Sequence, residues 1–407
     1  MKSLRFIFIA IFFLTGFLMN NCQTTENRLA KKVWKIHDQV LTVDTHCDTP
    51  MRFLRSDFDM GKRNDPHEGG GKVDFIRMKE GGMDAMFFAV FISQGKRTPE
   101  GNKRAREMAL TTFDAILNTV NKHSSLAEIA LNPDDAYEIE KGGKRAVYIG
   151  VENGYPVGND LANIKEFYDL GARYITLCHT RNNDICDSST DRNGPEHNGL
   201  SDFGRKIVAE MNKLGMIVDV SHISDKAFYD VLEVSEAPVI ASHSCARAIC
   251  DSPRNLTDDM LKKVAENGGV IQVCFVSSFI KPSDPYPERD SAMQALQEKY
   301  GSFNDLTDEE MDQARKEWTA VNKKFPLKLA AISEMIDHID HIVNVAGIDC
   351  VGIGTDFDGG GALKDCYDVS QIKNITSELI QRGYTTKEIE KIWGSNFMRV
   401  FREVQKN

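Results

Sequence analysis

A single (β/α)8 barrel, a TIM barrel with a helical insertion ahead of its last strand, is the fold this 407-residue sequence predicts. Three observations predict it. Eight short apolar runs recur along the chain, the stretches between them carry apolar residues at helical spacing, and a residue able to do chemistry closes most of the runs. Strands that are apolar almost throughout and alternate with helices read as parallel and covered on both faces. Eight such units close a barrel, whose functional groups gather at the carboxyl ends of the strands.

The first residues stand outside that repeat. Met1 to Arg5 is basic, Phe6 to Met19 is almost wholly apolar, and Asn20, Asn21 and Cys22 follow, which reads as a secretory signal over 1–21. Its apolar core is short for a membrane span. Residues 22–407 form one barrel domain. Its first strand is read at Leu41–Asp48 and its second at Met83–Phe91, with a helix over Asn102–Lys122. The third, Ala146–Asn153, precedes a helix at Leu161–Leu170 that Gly171 stops; the fourth, Arg173–His179, precedes Asp202–Leu214, stopped by Gly215. Met216–His222 and Pro238–His243 are the fifth and sixth, followed by helices at Asp225–Val234 and Asp258–Asn267, the latter stopped by Gly268. After the seventh strand, Gly269–Phe275, the polar and proline-bearing stretch 281–324 reads as an inserted helical excursion. A helix over Leu327–Ala346 then leads to the eighth strand, Cys350–Phe357.

Composition narrows the function classes. A chain that is 41% hydrophobic builds a substantial core, and a net charge of −10 offers no basic field to nucleic acid. Eight cysteines follow Cys22, and an exported chain can oxidise them. Cys47, Cys178, Cys274 and Cys350, however, lie in or beside apolar runs, where a thiol acts as a small buried hydrophobe.

His46 and Asp48 stand two apart at the end of the first run, so both face one side of a strand. Glu152, His179, His222, His243 and Asp356 each close a later run. A single buried histidine is ordinarily a packed one, but four histidines and three carboxylates on one rim stay unpaired or repel without a cation. The pattern therefore points to a metal centre. His338 and His341 share a helical face, and they read as packing or solvated residues, as do His37, His67, His123 and His197. Gly69-Gly-Gly71 lacks the Lys-Ser/Thr of a phosphate loop, and Asp356-Phe-Asp358-Gly lacks the later ligands of a calcium loop.

These residues lie in segments that resemble the membrane (renal) dipeptidase family of zinc peptidases, within the amidohydrolase-like barrels. The matching pieces are Asp44-Thr-His46-Cys-Asp48, Val151-Glu152, Leu177-Cys-His179-Thr, Asp219-Val-Ser-His222 and Ala241-Ser-His243-Ser. Pro253-Arg254-Asn255, Gly352-Ile-Gly-Thr-Asp356-Phe-Asp358-Gly and Gly394-Ser-Asn-Phe-Met-Arg-Val-Phe401 complete them, in family order along nearly the whole chain. Two positions depart from the family pattern: Cys47 stands where Asn is common, and Asn153 where Gly is usual.

The resemblance implies two Zn²⁺ per chain, one on His46 and Asp48, the other on His222 and His243, bridged by Glu152 and a water or hydroxide. It implies that His179 binds substrate and donates to the oxyanion, that Asp356 binds substrate and carries the proton, that Glu152 is catalytic as well as a ligand, and that Arg254 clamps the substrate's terminal carboxylate. Dipeptides with a free carboxylate, including those ending in a D-residue, are the implied substrates, and a homodimer the implied assembly. Cys22 resembles the lipidated cysteine of bacterial lipoproteins, which would attach the chain to the cell envelope, periplasmic or at the outer membrane. The rival readings are another amidohydrolase-type barrel acting on cyclic amides or N-acyl groups, and an inactive peptide-binding lipoprotein.

Overall fold

A computed structural model describes residues 28–55, 58–300 and 308–406; the leader and Cys22 lie outside the described residues. Among the described residues nine strands run β1 Val43–Cys47, β2 Ala85–Phe91, β3 Ala127–Ile129, β4 Arg145–Glu152, β5 Ala172–Thr176, β6 Ile217–Asp219, β7 Ile240–Ser244, β8 Val270–Val273 and β9 Val351–Ile353. All pair in parallel, in the order β1-β2-β4-β5-β6-β7-β8-β9. The first and last of these meet through a single parallel bridge, Cys47 to Phe357, supported by Asp356 N–H donating to His46 O at 3.0 Å and Asp48 N–H to Phe357 O at 2.8 Å. That joint makes the eight-stranded parallel barrel nearly closed.

β3 is a ninth strand that the apolar pattern does not announce. It pairs with the start of β4, off the barrel path. With one charged and two apolar residues it has too short a run for any periodicity to show. The predicted strands also run past the ladders. β5, β6 and β9 end before His179, His222 and Asp356, which sit at the starts of the loops, and His222 and Asp356 take left-handed backbone at φ 72° and 57°.

Helices occupy the intervals read as helical: Pro99–Lys122, Ala162–Asp169, Asp202–Leu214, Asp225–Val234, Asp258–Glu266 and Ile332–Ala346. Between β8 and β9 the chain makes helices at Pro287–Tyr300 and Asp308–Lys324, within the stretch read as an excursion. All eight cysteines from Cys47 onward are free and buried, so none of them forms a disulfide.

Two apolar layers result. One lies between the sheet and the helices around it. The other fills the amino-terminal half of the barrel, where the first residues of the strands, with Phe87, Tyr148 and Tyr174, pack on Phe397 and Phe401 of the last helix, Asn396–Val404. Phe87 stacks on Tyr148 with centroids 4.8 Å apart and takes the Phe397 ring edge at 5.2 Å. The amino-terminal half is thus filled, and the carboxyl end is left for polar side chains.

Candidate active site

Glu152 ends β4 on the face that Ala146 and Tyr148 turn into the barrel, so the two-residue period carries its carboxylate to the top of the interior. His46 and His243 would point outward by the same count from Val43 and Ile240. Both ladders slip instead, between Asp44 and Cys47 and between Ala241 and Ser244. Such irregularities re-aim a side chain, and here they turn both imidazoles inward while Cys47 packs into the outer apolar layer.

The result is a cluster centred on Glu152. Its Oε2 lies 3.5 Å from His46 Nε2. Its Oε1 lies 3.2 Å from His222 Nε2 and 3.6 Å from the Nε2 atoms of His179 and His243. His46 Nε2 is 3.4 Å from Asp48 Oδ2, His222 Nε2 is 2.8 Å from His243 Nε2, and the His46 and His243 rings stack at 4.0 Å. Three sets of ligand-type atoms fall close enough to share an ion: His46, Glu152, His243; Glu152, His179, His222; and His46, Asp48, Asp356. All seven strand-end residues read from the sequence are therefore brought together.

The surroundings set which nitrogen faces inward. Tyr174 Oη donates to Thr45 O at 3.2 Å, so at 2.8 Å from His46 Nδ1 it accepts from that nitrogen, leaving Nε2 turned toward Glu152. His243 is fixed in the same way. Ser242 Oγ donates to Asp219 Oδ2 at 2.6 Å and lies 2.8 Å from His243 Nδ1. Asp219 also accepts from Thr176 Oγ1, Ser221 N–H and Ser242 N–H, an anchored carboxylate beneath the cluster. Gly150 makes room for the tyrosine: a Cβ there would lie 2.1 Å from Tyr174 Cζ.

Charge follows from burial and neighbours. Burial holds His222 and His243 well below the usual histidine range. It resists charge on Glu152 too, but His46, His179 and His222 outweigh it and hold that carboxyl well below its ordinary value. Burial also opposes charge on His46, yet Tyr174, Glu152 and Asp48 raise it well above. Asp356 is pushed well above the carboxylate range by burial and then by Asp48, to which it is hydrogen-bonded. Gly359 presses on that pair; a Cβ would stand 2.0 Å from Asp48 Oδ2 and 2.1 Å from Asp356 Oδ1.

Two residues frame the opening. His179, with 22% of its side chain exposed, takes the edge of Phe91 at 4.8 Å. Arg254, in the loop after β7, is buried and donates from Nη2 to His243 O at 3.1 Å, and its guanidinium lies 5.2 Å from the Phe279 ring centroid. Its Nε has no hydrogen-bond partner. Among the described residues no carboxylate forms an ion pair with it.

The remaining histidines are elsewhere. His338 is a packed residue between Ala246 N–H and Ile280 O, and His341 and His123 pair with Asp258 and Asp59. His37 bonds Thr376 and Gly81, His197 lies 2.8 Å from Asn183 O, and His67 stacks on Tyr367. Asp358 is held by Thr49, Lys72 N–H and Arg52, which accounts for it without calcium. Gly69 receives Arg52 on its carbonyl. Sequence reasoning missed Tyr174, Asp219, Ser242, Asn183 and Gly359. Asp219, Ser242 and Gly359 stand inside the family-like segments, which was their signal; Tyr174 and Asn183 stand in none of them.

Metal fits these residues on atoms of this structure. His46 Nε2 and Asp48 Oδ1 are buried without a hydrogen-bond partner, and His222 Nε2 and His243 Nε2 converge with no hydroxyl between them. Imidazole nitrogens with carboxylate oxygens are the donor set zinc takes. Metal binding requires an ionised Glu152 and neutral His222 and His243, the states their surroundings favour, and at His46 and Asp48 an ion would take the place of the protons that burial and the neighbouring groups favour.

Comparison with known proteins points the same way. The profile of the family described as Membrane dipeptidase (Peptidase family M19) matches residues 30–407. Dipeptidase tcpJ of Claviceps purpurea (strain 20.1) is 34% identical over 370 residues, covering 89% of this chain and 76% of that protein. Mouse Dipeptidase 3 is 30% identical over 390 residues, covering 94% and 68%. The crystal structure of the probable dipeptidase PvdM from Pseudomonas aeruginosa superposes with a TM-score of 0.79 at 30% identity, over 93% of this chain and 99% of that one. A match along nearly the whole chain, on a barrel whose rim gathers these histidines and carboxylates, makes this protein a member of the membrane dipeptidase family, M19, of metal-dependent dipeptidases.

Proposed function

We propose that the chain is a binuclear zinc dipeptidase that cleaves small dipeptides bearing a free terminal carboxylate. One observation carries the two-ion reading: the oxygens of Glu152 face different partners, Oε2 toward His46 and Oε1 toward His222 and His243. His46 and Asp48 would hold one ion and His222 and His243 the other, with Glu152 between them. Bound there, the ions supply a polarised scissile carbonyl and a water of lowered pKa.

The rest falls to the chain's own side chains. Arg254 presents a planar, buried guanidinium for the terminal carboxylate, a geometry suited to a bidentate pair. His179, at the open side of Glu152, donates to the oxygen that becomes negative as the carbonyl is attacked. Asp356, buried beside Asp48, would start as the carboxylate, take a proton from the attacking water and pass that same proton to the leaving amine. Recognition fixed on a carboxylate and a carbonyl leaves the side chain between them free in hand, which supports tolerance of a D-residue. The basic-apolar leader and Cys22 support an exported, envelope-attached protein.

The test is metal analysis of the purified protein together with turnover of a dipeptide library that includes D-residues at the carboxyl end. Two zinc ions per chain and hydrolysis of some members are expected, with Glu152→Gln losing metal and activity together. Full zinc occupancy in that variant removes Glu152 from the bridge, and no turnover of any member overturns the reading.

A further inference from the structure

We propose that Asn153 is a positioning residue that sets Glu152 and His179 relative to each other. The inference rests on the zinc dipeptidase reading above. Asn153 follows Glu152 directly, is buried, and holds φ at 75°. That backbone requirement accounts for a small residue, since asparagine and above all glycine visit the left-handed region. It does not account for the amide, because glycine meets it without one.

The amide is fully used. Nδ2 donates to Ile92 O at 2.8 Å and to Gln94 Oε1 at 3.4 Å; Oδ1 accepts from Tyr155 N–H at 3.2 Å and from Asn183 Nδ2 at 3.1 Å. An asparagine amide has two donor hydrogens and two acceptor sites, so none is left over. Two of these bonds, to Ile92 and from Asn183, lead back to the site. Ile92 N–H donates to Glu152 O at 3.2 Å, so the Glu152-Asn153 pair grips Ile92 from both sides, and the preceding residue, Phe91, packs its ring on His179. Asn183 Nδ2 also donates to Leu177 O at 2.8 Å, just ahead of His179 in the loop after β5. One buried amide therefore ties the carboxylate at the end of β4 to both supports of His179.

The test uses the full chain and Zn²⁺ itself as probe. Asn153→Gly keeps the backbone conformation and removes the amide. Asn153→Asp keeps the shape and the acceptor but sets a carboxylate oxygen against Ile92 O. Chelator competition should show zinc bound about tenfold or more weakly by both, as for lost outer-shell partners. At saturating zinc kcat should fall by about tenfold while KM stays within about threefold, since Arg254 is untouched. Unchanged zinc affinity and kcat in either folded variant overturns the proposal, and so does a loss confined to thermal stability. If the unmutated protein binds zinc but hydrolyses no dipeptide, the functional reading fails, while the zinc affinities of the variants still decide the role of Asn153. An unmutated protein that binds no zinc overturns both.

Discussion

Tyr174 hands His46 its orientation: the phenol oxygen lies 2.8 Å from His46 Nδ1 and gives its own hydrogen to Thr45 O, so Nδ1 donates to the phenol and Nε2 is the nitrogen turned to Glu152. Tyr174→Phe keeps the ring packed on Phe87 and removes that constraint. Zinc affinity should drop about 10–100-fold, the range for a lost outer-shell partner. Chelator competition on the folded variant measures it, and an unchanged affinity would mean the imidazole needs no such guide.

Replacing Arg254 with Lys should raise KM for dipeptides by about 10–100-fold, because a charge-assisted pair is worth about 1.5–3 kcal/mol and an ammonium cannot reproduce the fork. Dipeptide amides should be poor substrates of the unmutated protein. Steady-state kinetics on matched acids and amides decide this; equal turnover of both takes Arg254 out of the substrate contact.

Asp356→Asn separates proton transfer from metal binding. The variant should keep its zinc and its KM while kcat falls by about 10²–10⁴, the range for a positioned acid–base group. Asp356 lies within reach of an ion shared with His46 and Asp48, so metal analysis must accompany the kinetics. Loss of zinc would make Asp356 a ligand, and near-normal kcat would send the proton by another path.

A stability effect should come from the opposite end of the barrel. Burial, with Lys373 nearby, lowers His37 to about 4 from an unfolded value near 6.5. The unfolded chain thus binds the proton first as pH falls, and the stability His37 contributes above about pH 6.5 is lost progressively down to about 4. At pH 5 the loss is about 2 kcal/mol. Asp44 and Asp84, both lifted to about 6 by burial, act with the opposite sign. The comparison is therefore urea unfolding of the unmutated protein against His37→Gln at pH 7.5 and 5, where the stability gap should narrow by about 2 kcal/mol; a constant gap would leave His37 protonated in the fold.

Much of the barrel was legible because buried parallel strands are apolar throughout and glycines stop the helices between them. The ligand-type residues were legible for a related reason: each stands at the close of such a run. What surrounds them was not. Ser242 and Asp219 look like ordinary polar residues at strand ends, and their link to His243 needs strands to be paired before it exists. Tyr174 reads as another core aromatic, and only the space above Gly150 aims it at His46. β3 was hidden for want of length. The two ladder slips that turn His46 and His243 inward leave no mark in the residue pattern, because they are properties of pairing.

The joint between the first and last strands also orders events in time. Asp44 accepts from Thr355 N–H and Oγ1 at 2.8 and 2.6 Å, across 311 residues of chain. Every residue proposed to hold an ion lies on or just after a strand up to β7, so a growing chain carries the whole set long before β9 exists. Until that strand seats, the sheet has two open edges, Asp356 is absent, and Asp48 lacks the Phe357 carbonyl that receives its N–H. Contacts of such separation are the slow ones to form. Competence thus arrives with the final strand, in one late step, and a chain stopped short of it is inert however many of its ligands are in hand.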